Sequence, residues 1–142
     1  MDIEKVWWES FGNSYGVEFE KARPNYQTLD KNSQMIGALV KLELDMHNGG
    51  FLQFFCNWGY SAYLLALGGL ESIKATQARS ILQNSYSILE PYENDTRLGQ
   101  LWDMATILSD EEQNELDRLD QKYWEDEDGV MGKMLVTFSE NM

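Results

Sequence analysis

The sequence predicts an all-α protein, a single domain over residues 1–142 built from about seven or eight helices of ordinary globular length. Apolar residues recur every three or four positions in segment after segment, which is the period of a helix with one buried face. No run alternates polar and apolar residues over more than a few positions, as a half-buried strand would. Both prolines, Pro24 and Pro91, follow helical patterns, where a ring without an N–H group ends a helix.

After the first helical pattern, the apolar spacing predicts a core helix over residues 35–47. The Asn-Gly-Gly triplet at 48–50 is typical of a helix C-terminus, because glycine adopts the left-handed conformation cheaply and lets the chain turn. We expect an aromatic-rich helix over 51–58 and a further helix over 61–67. The stripe of the core helix consists of Met35, Ile36, Leu39, Val40, Leu42 and Met46.

Four further apolar stripes predict the remaining helices. Ser109 and Glu112 precede the third of these stripes as a capping box, in which each side chain can bond the backbone N–H of the other residue. In chain order the stripes are Ala78, Ile81, Leu82 and Leu89; Leu98, Leu101, Trp102, Ala105 and Leu108; Leu116, Leu119 and Tyr123; and Met131, Met134, Leu135 and Phe138.

Composition limits the class of protein. At 142 residues the chain is long enough to bury a hydrophobic core. Hydrophobic residues make up 43% of the chain and aromatic residues 13%, which excludes a disordered acidic polymer. A formal net charge of −13 and a pI near 4.3 argue against direct binding of DNA, RNA or an anionic membrane. The same charge favours solubility, so acidity alone does not require a partner.

The cellular compartment is indicated by three features. A single cysteine, Cys56, excludes an internal disulfide and suits a reducing environment. The N-terminal residues include acids where a signal peptide has a basic region and an apolar run. The longest apolar stretch, 62–67, is too short to cross a bilayer. We therefore expect a cytoplasmic protein that makes no contact with a membrane.

Acidic residues are concentrated between positions 110 and 128. Ten of the 24 acidic residues lie there, and only Arg118 and Lys122 offset them, which leaves eight net negative charges on this segment. A basic protein surface that binds a nucleic acid recognises ordered negative charge, so the segment can attract a partner that binds phosphates.

The acidic segment is predicted to be one helix over 110–128, docked on the core through Leu116, Leu119 and Tyr123. The acids of its first turn are partly explained by the helix dipole, which favours negative charge there. The others gather on the outer face and towards the C-terminal end, where they oppose the dipole. The candidate partner-binding residues are Asp110, Glu111, Glu115, Asp117, Glu125, Asp126, Glu127 and Asp128.

The sequence offers little other chemistry. An EF-hand loop with Gly129 at its sixth position needs ligands where Trp124 and Leu135 stand, so no metal site is predicted. His47 is interpreted as a polar group near a helix C-terminus, and Cys56 as buried packing within an aromatic segment. We expect no enzymatic activity, no cofactor and no metal.

Three motifs can be compared with known families. They are Glu43-x-x-x-His47-Asn48-Gly49-Gly50-Phe51-x-Gln53-Phe54-Phe55-x-Asn57, then Ile73-x-Ala75 with the helix after Thr76, and finally Leu119-Asp120-x-x-Tyr123. In order and spacing they resemble a bacterial family of small acidic proteins that is best known for a DNA-mimic protein. The resemblance covers residues 35–138 and departs from the family at 57–59, where the turn is tighter.

This resemblance implies an all-α fold, a homodimer and no known enzymatic activity. The best-known member is similar to duplex DNA in its surface charge and occupies the DNA-binding face of a transcriptional regulator. The signature residues themselves look structural. The phenylalanines of the motif would fill the core, while Asn48, Gln53 and Asn57 would satisfy backbone groups around the turn.

Three interpretations of the acidic segment stay open. In the first, the protein is a DNA mimic that keeps a basic DNA-binding protein, such as a transcriptional regulator, off its operator. In the second, it is an immunity or antitoxin protein that neutralises a basic toxin with the same surface. In the third, the acidic face is only the solvated side of a helical protein.

Overall fold

The computed structural model describes residues 2–139, and none of these residues forms a strand. The chain begins with a continuous helical run that comprises α1 (Ile3–Trp7), a π-helical segment (Trp8–Gly16) and α2 (Val17–Ala22). The run starts where the carboxylate of Asp2 accepts a hydrogen bond from the Lys5 N–H at 3.2 Å, which satisfies one of the free donors of the first turn. It ends before Pro24, as the sequence predicts.

The three longest α-helices of the first two thirds of the chain are α3 (Lys31–Met46), α4 (Gly50–Ser72) and α5 (Thr76–Leu89). The two predicted helices at 51–58 and 61–67 are the two arms of α4. They meet at Gly59, whose φ of 82° and ψ of −171° are not helical. The second arm continues beyond the predicted end at residue 67 because its apolar face stays in the core as far as Leu70.

The predicted helix over 98–108 is wrong. The structure has a 3₁₀ turn at Leu101–Asp103 and a short α6 (Met104–Ile107) instead. The Asp103 carboxylate accepts hydrogen bonds from the N–H groups of Gly99 and Gln100, which starts a new helix at this point. Trp102 is consequently 47% exposed, and Met104, which lies outside the predicted stripe, is fully buried.

The last two helices are α7 (Asp110–Trp124) and α8 (Val130–Phe138). The predicted stripe of α7 is confirmed, because Leu116, Leu119 and Tyr123 are all buried. The predicted extension of this helix to Asp128 is wrong, since residues 125–129 form turns that lead into α8.

The helices pack around one core, as predicted for a single all-α domain. α3 lies at the centre, between the N-terminal helical run and α4. α4 then packs on α5, α5 packs on α7, and α8 returns to α1. Buried side chains from all of these helices form one cluster. Within residues 2–139, no helix combines the length and the apolar character needed to cross a membrane.

Candidate functional site

The acidic helix α7 is fixed at its N-terminus by the predicted capping box, which is confirmed. The Ser109 hydroxyl accepts from the Glu112 N–H at 3.1 Å, and the Glu112 carboxylate accepts from the Ser109 N–H at 2.8 Å. The hydroxyl of Tyr92 also donates to that carboxylate at 2.8 Å. These bonds, the one from the Ser109 backbone first, lower the pKa of Glu112. Glu112 is therefore a structural acid.

The C-terminal end of α7 is held against α3. The Tyr123 hydroxyl donates to Oε2 of Glu43 at 2.8 Å, and the indole N–H of Trp124 donates to the Met46 carbonyl oxygen. Glu43 is only 3% exposed, and this burial raises its pKa from 4.5 to about 7. Nε2 of His47 lies 3.8 Å from the same carboxylate. The helix is thus a rigid element of the domain.

Asp120, one of the acids of the 110–128 segment, is buried. Its carboxylate accepts from the Phe51 N–H at 3.0 Å and so caps the N-terminus of α4. Burial raises the pKa of Asp120 to about 6. This acid of the 110–128 segment therefore holds another helix and is not available to a partner.

Asp126 and Asp128 have similar capping roles, which explain why α7 ends at Trp124. The Asp126 carboxylate accepts from the Val130 N–H at 3.0 Å and caps α8, and the backbone at Asp126 is left-handed, with φ of 51°. The Asp128 carboxylate accepts from the Ala78 N–H at 2.8 Å and caps α5. Both residues belong to the predicted contact set, so part of that charge is committed to the fold.

Removal of the Asp128 cap tests this role. We expect Asp128→Ala to lower the free energy of unfolding by about 1–2 kcal/mol, because a helix N-cap is lost. The adjacent Glu127→Ala is the matched control, and its free energy of unfolding should stay within about 0.5 kcal/mol of the unchanged protein. Urea denaturation measures both. Equal stabilities of the two variants would contradict the capping role.

The remaining candidate acids form an outward surface. Glu115 is half-buried and pairs with the Arg118 guanidinium. Five others are exposed, and no hydrogen bond or ion pair among the residues that the structure describes engages their carboxylates. We call these five the open carboxylates: Asp110, Glu111, Asp117, Glu125 and Glu127.

The open carboxylates lie along the whole of α7 and just beyond its end. A helix of 15 residues is about 22 Å long. Two of the five lie in its first turn, one in its middle, and two in the turn that follows it. Arg118 and Lys122 line a cleft between α5 and α7 next to Glu125, so the negative surface is interrupted there by positive charge.

The two residues considered for catalysis have structural environments. Cys56 is buried, its thiol donates to the Leu101 carbonyl oxygen at 3.3 Å, and burial raises its pKa to about 11. His47 is the C-terminal capping residue of α3. No group of His, Cys, Asp or Glu side chains in the part of the chain that the structure describes is placed to hold a metal ion.

The roles of the polar residues in the signature are explained by Asp45, which the sequence motifs do not identify. Its carboxylate accepts from the side-chain amides of Gln53 at 2.8 Å and Asn57 at 3.2 Å, and from the indole N–H of Trp58 at 3.1 Å. The amide of Asn48 donates to the Gln53 side chain. The expectation that Asn48, Gln53 and Asn57 satisfy backbone groups is therefore wrong, because Gln53 and Asn57 donate to the Asp45 side chain and Asn48 donates to the Gln53 side chain.

The fold and this surface define a class: a small all-α protein that presents unpaired carboxylates on a firmly docked helix. A scan against protein families matches residues 27–141 to the DMP19-like protein family, and the chain belongs to that family. The match includes the signature turn, α7 and the capping turn after it. A search of curated proteins and a search of solved structures found no match.

Proposed function

We propose that this protein is a DNA mimic that acts by binding alone and not as an enzyme. Its open carboxylates would take the place of phosphates on the DNA-binding surface of a basic protein, such as a transcriptional regulator, in the cytoplasm. The observation that carries the proposal is the set of five unpaired carboxylates on α7 and in the turn just after it, where the helix is fixed at both ends. Membership of the DMP19-like protein family supports it.

Rigidity matters to this proposal. A flexible acidic tail loses conformational entropy when it is ordered on a partner, which weakens its binding. α7 is already ordered by its buried face and by bonds to α3 and the Glu90–Tyr92 turn.

We further propose that the protein is a homodimer, which would present the acidic surface twice. Two copies would bind a two-fold symmetric regulator with a gain in effective concentration.

The test is charge reversal at Asp117, Glu125 and Glu127 together, each replaced by lysine. Asp126 and Asp128 are left unchanged because their loss would damage the fold. The immobilised protein is offered bacterial extract at low salt, and bound proteins are eluted with duplex DNA. We expect a nucleic-acid-binding protein to be captured, released by DNA, and bound at least about tenfold more weakly by the variant, with affinity falling steeply as salt rises.

A matched control carries the same change in charge elsewhere. Glu4, Glu9 and Glu18 are exposed on the N-terminal helical run, and their replacement by lysine should leave capture intact. Equal loss in the two triple variants would mean that only total charge matters. A captured toxin that DNA does not release would favour the immunity interpretation. Absence of any captured protein would leave the acidic face as solvated surface.

A further inference from the structure

A cleft between the C-terminal end of α4 and the first two turns of α5 is lined mainly by hydrogen-bond donors. It adjoins the cleft between α5 and α7, because Ser80 lines both, but of these two clefts Lys74, Thr76 and Arg79 line only this one. Glu71 is the one carboxylate in its lining. The donors are the side chains of Lys74, Thr76, Arg79, Ser80 and Gln83. Such a set is unexpected on a chain with 24 acidic and 11 basic residues.

One of these donors is buried without an acceptor. Nε of Arg79 is buried and has no hydrogen-bond partner. Among residues 2–139, no hydrogen bond or ion pair engages the exposed side chains of Lys74, Thr76 and Ser80, so these side chains are open to a ligand. A buried donor without an acceptor destabilises the folded state, so its presence in a native protein requires an explanation. A bound anion would supply the missing acceptor.

Lys74 adds an independent observation. Its φ of 63° is left-handed, at the position after a helix where glycine is strongly favoured. The turn is closed by hydrogen bonds from the Lys74 N–H to the Glu71 carbonyl and from the Ala75 N–H to the Leu70 carbonyl. Glycine would make the same bonds with less strain. A lysine here exposes an ammonium group at the mouth of the cleft, at the expense of backbone strain.

Basic side chains outnumber acidic ones at this corner of the fold. The N-terminus of α5 begins at Thr76 beside the cleft, although its Ala78 N–H already donates to the Asp128 carboxylate at 2.8 Å. The ammonium group of Lys133 donates to the Lys74 carbonyl at 3.0 Å and lies 3.8 Å from the Asp128 carboxylate, so this corner holds a third basic residue and a second acid besides Glu71. Glu71 opposes these charges, and it is exposed.

We propose that this cleft binds an oxyanion of the phosphate type, either inorganic phosphate or the phosphate monoester of a small molecule. The Arg79 guanidinium and the Lys74 ammonium group neutralise the anion, and the hydroxyls of Thr76 and Ser80 donate to its remaining oxygens. Phosphate fits this set better than a carboxylate, because its tetrahedral oxygens accept from several directions at once. The proposal is independent of the proposed partner surface on α7.

The test uses the full-length protein, with inorganic phosphate and a nucleoside monophosphate as the two probes. Backbone amide shifts in NMR report binding at residues 74–83, with sodium chloride at matched ionic strength as the reference. We expect saturable shifts confined to this segment. Lys74→Gly is the key variant, because it removes the ammonium group and also relieves the left-handed strain. It should be as stable as the unchanged protein, yet bind at least about tenfold more weakly.

Two further variants sharpen the result. Arg79→Gln should also weaken binding, and Glu71→Gln should strengthen it, because the opposing carboxylate is lost. Lys31→Gln removes one exposed positive charge elsewhere and should change nothing. Tighter binding of the monoester assigns the cleft to a small phosphorylated molecule, and equal binding of the two probes assigns it to the free ion. Unsaturable shifts, or equal losses in Lys74→Gly and Lys31→Gln, would overturn the proposal.

Discussion

Replacement of Gly50 by alanine is expected to destabilise the protein by about 3 kcal/mol or more. Gly50 has a φ of +83°, which an L side chain rarely adopts. A Cβ atom at this position would also collide with the carboxylate of Asp120. That carboxylate accepts from the Phe51 N–H. The new methyl group would therefore displace the cap of α4 and leave the buried Phe51 N–H without an acceptor.

Gly132→Ala is the matched control for this prediction. Gly132 lies inside α8, and a Cβ atom there would meet nothing within 4 Å. Alanine has the better helix propensity, so this variant should be more stable by about 0.5–1 kcal/mol. Urea denaturation of both variants gives the two free energies of unfolding. A Gly50→Ala protein within about 1 kcal/mol of the unchanged protein would show that the turn at α4 relaxes freely.

Mildly acidic pH is expected to stabilise the protein. Burial raises the pKa of Glu43 in the folded state from 4.5 to about 7. The folded chain therefore holds this proton more tightly than the unfolded chain does. The associated stability is fully present below pH 4.5 and is lost as the pH rises through 7. The loss amounts to about 3 kcal/mol for this group. Asp120 acts in the same direction, since burial raises its pKa to about 6.

Glu43→Gln isolates this contribution. The glutamine oxygen can still accept from the Tyr123 hydroxyl, but it carries no charge at any pH. We expect the variant to match the unchanged protein at pH 4 and to exceed its free energy of unfolding by about 3 kcal/mol at pH 8. Glu127→Gln, which removes one exposed carboxylate, controls for the overall charge. A pH profile that is the same for Glu43→Gln and the unchanged protein would contradict the prediction.

Local patterns account for the parts of the fold that the sequence predicts well. The stripe of Leu116, Leu119 and Tyr123 and the box of Ser109 and Glu112 each depend on residues within one or two turns, so their spacing alone defines them. The prediction of one helix over 98–108 is wrong because the apolar residues of this segment have helical spacing without forming a single helix. The Asp103 side chain, bonded to backbone N–H groups just before it, sets a different start.

Long-range contacts explain what the sequence could not show at the candidate site. Asp128 and Ala78 are 50 residues apart, and Asp120 and Phe51 are 69 residues apart, so no local pattern reveals that these acids cap other helices. The open carboxylates all belong to the predicted contact set. The helical period explains the exposure of Asp110, Glu111 and Asp117, whereas Glu125 and Glu127 are exposed in the turn beyond the end of α7. The donor cleft beside Lys74 was missed because the sequence does not show how the end of α4 faces α5.

Because of its three capping aspartates, the short segment 120–128 contributes to the stability of three other helices. It holds the first turns of α4, α5 and α8 at once. Local opening of this segment would therefore release three helix starts together and couple their hydrogen exchange. A ligand that binds Glu125 and Glu127 would oppose that opening. Binding at the acidic end of α7 would therefore slow amide exchange in helices that the ligand does not contact.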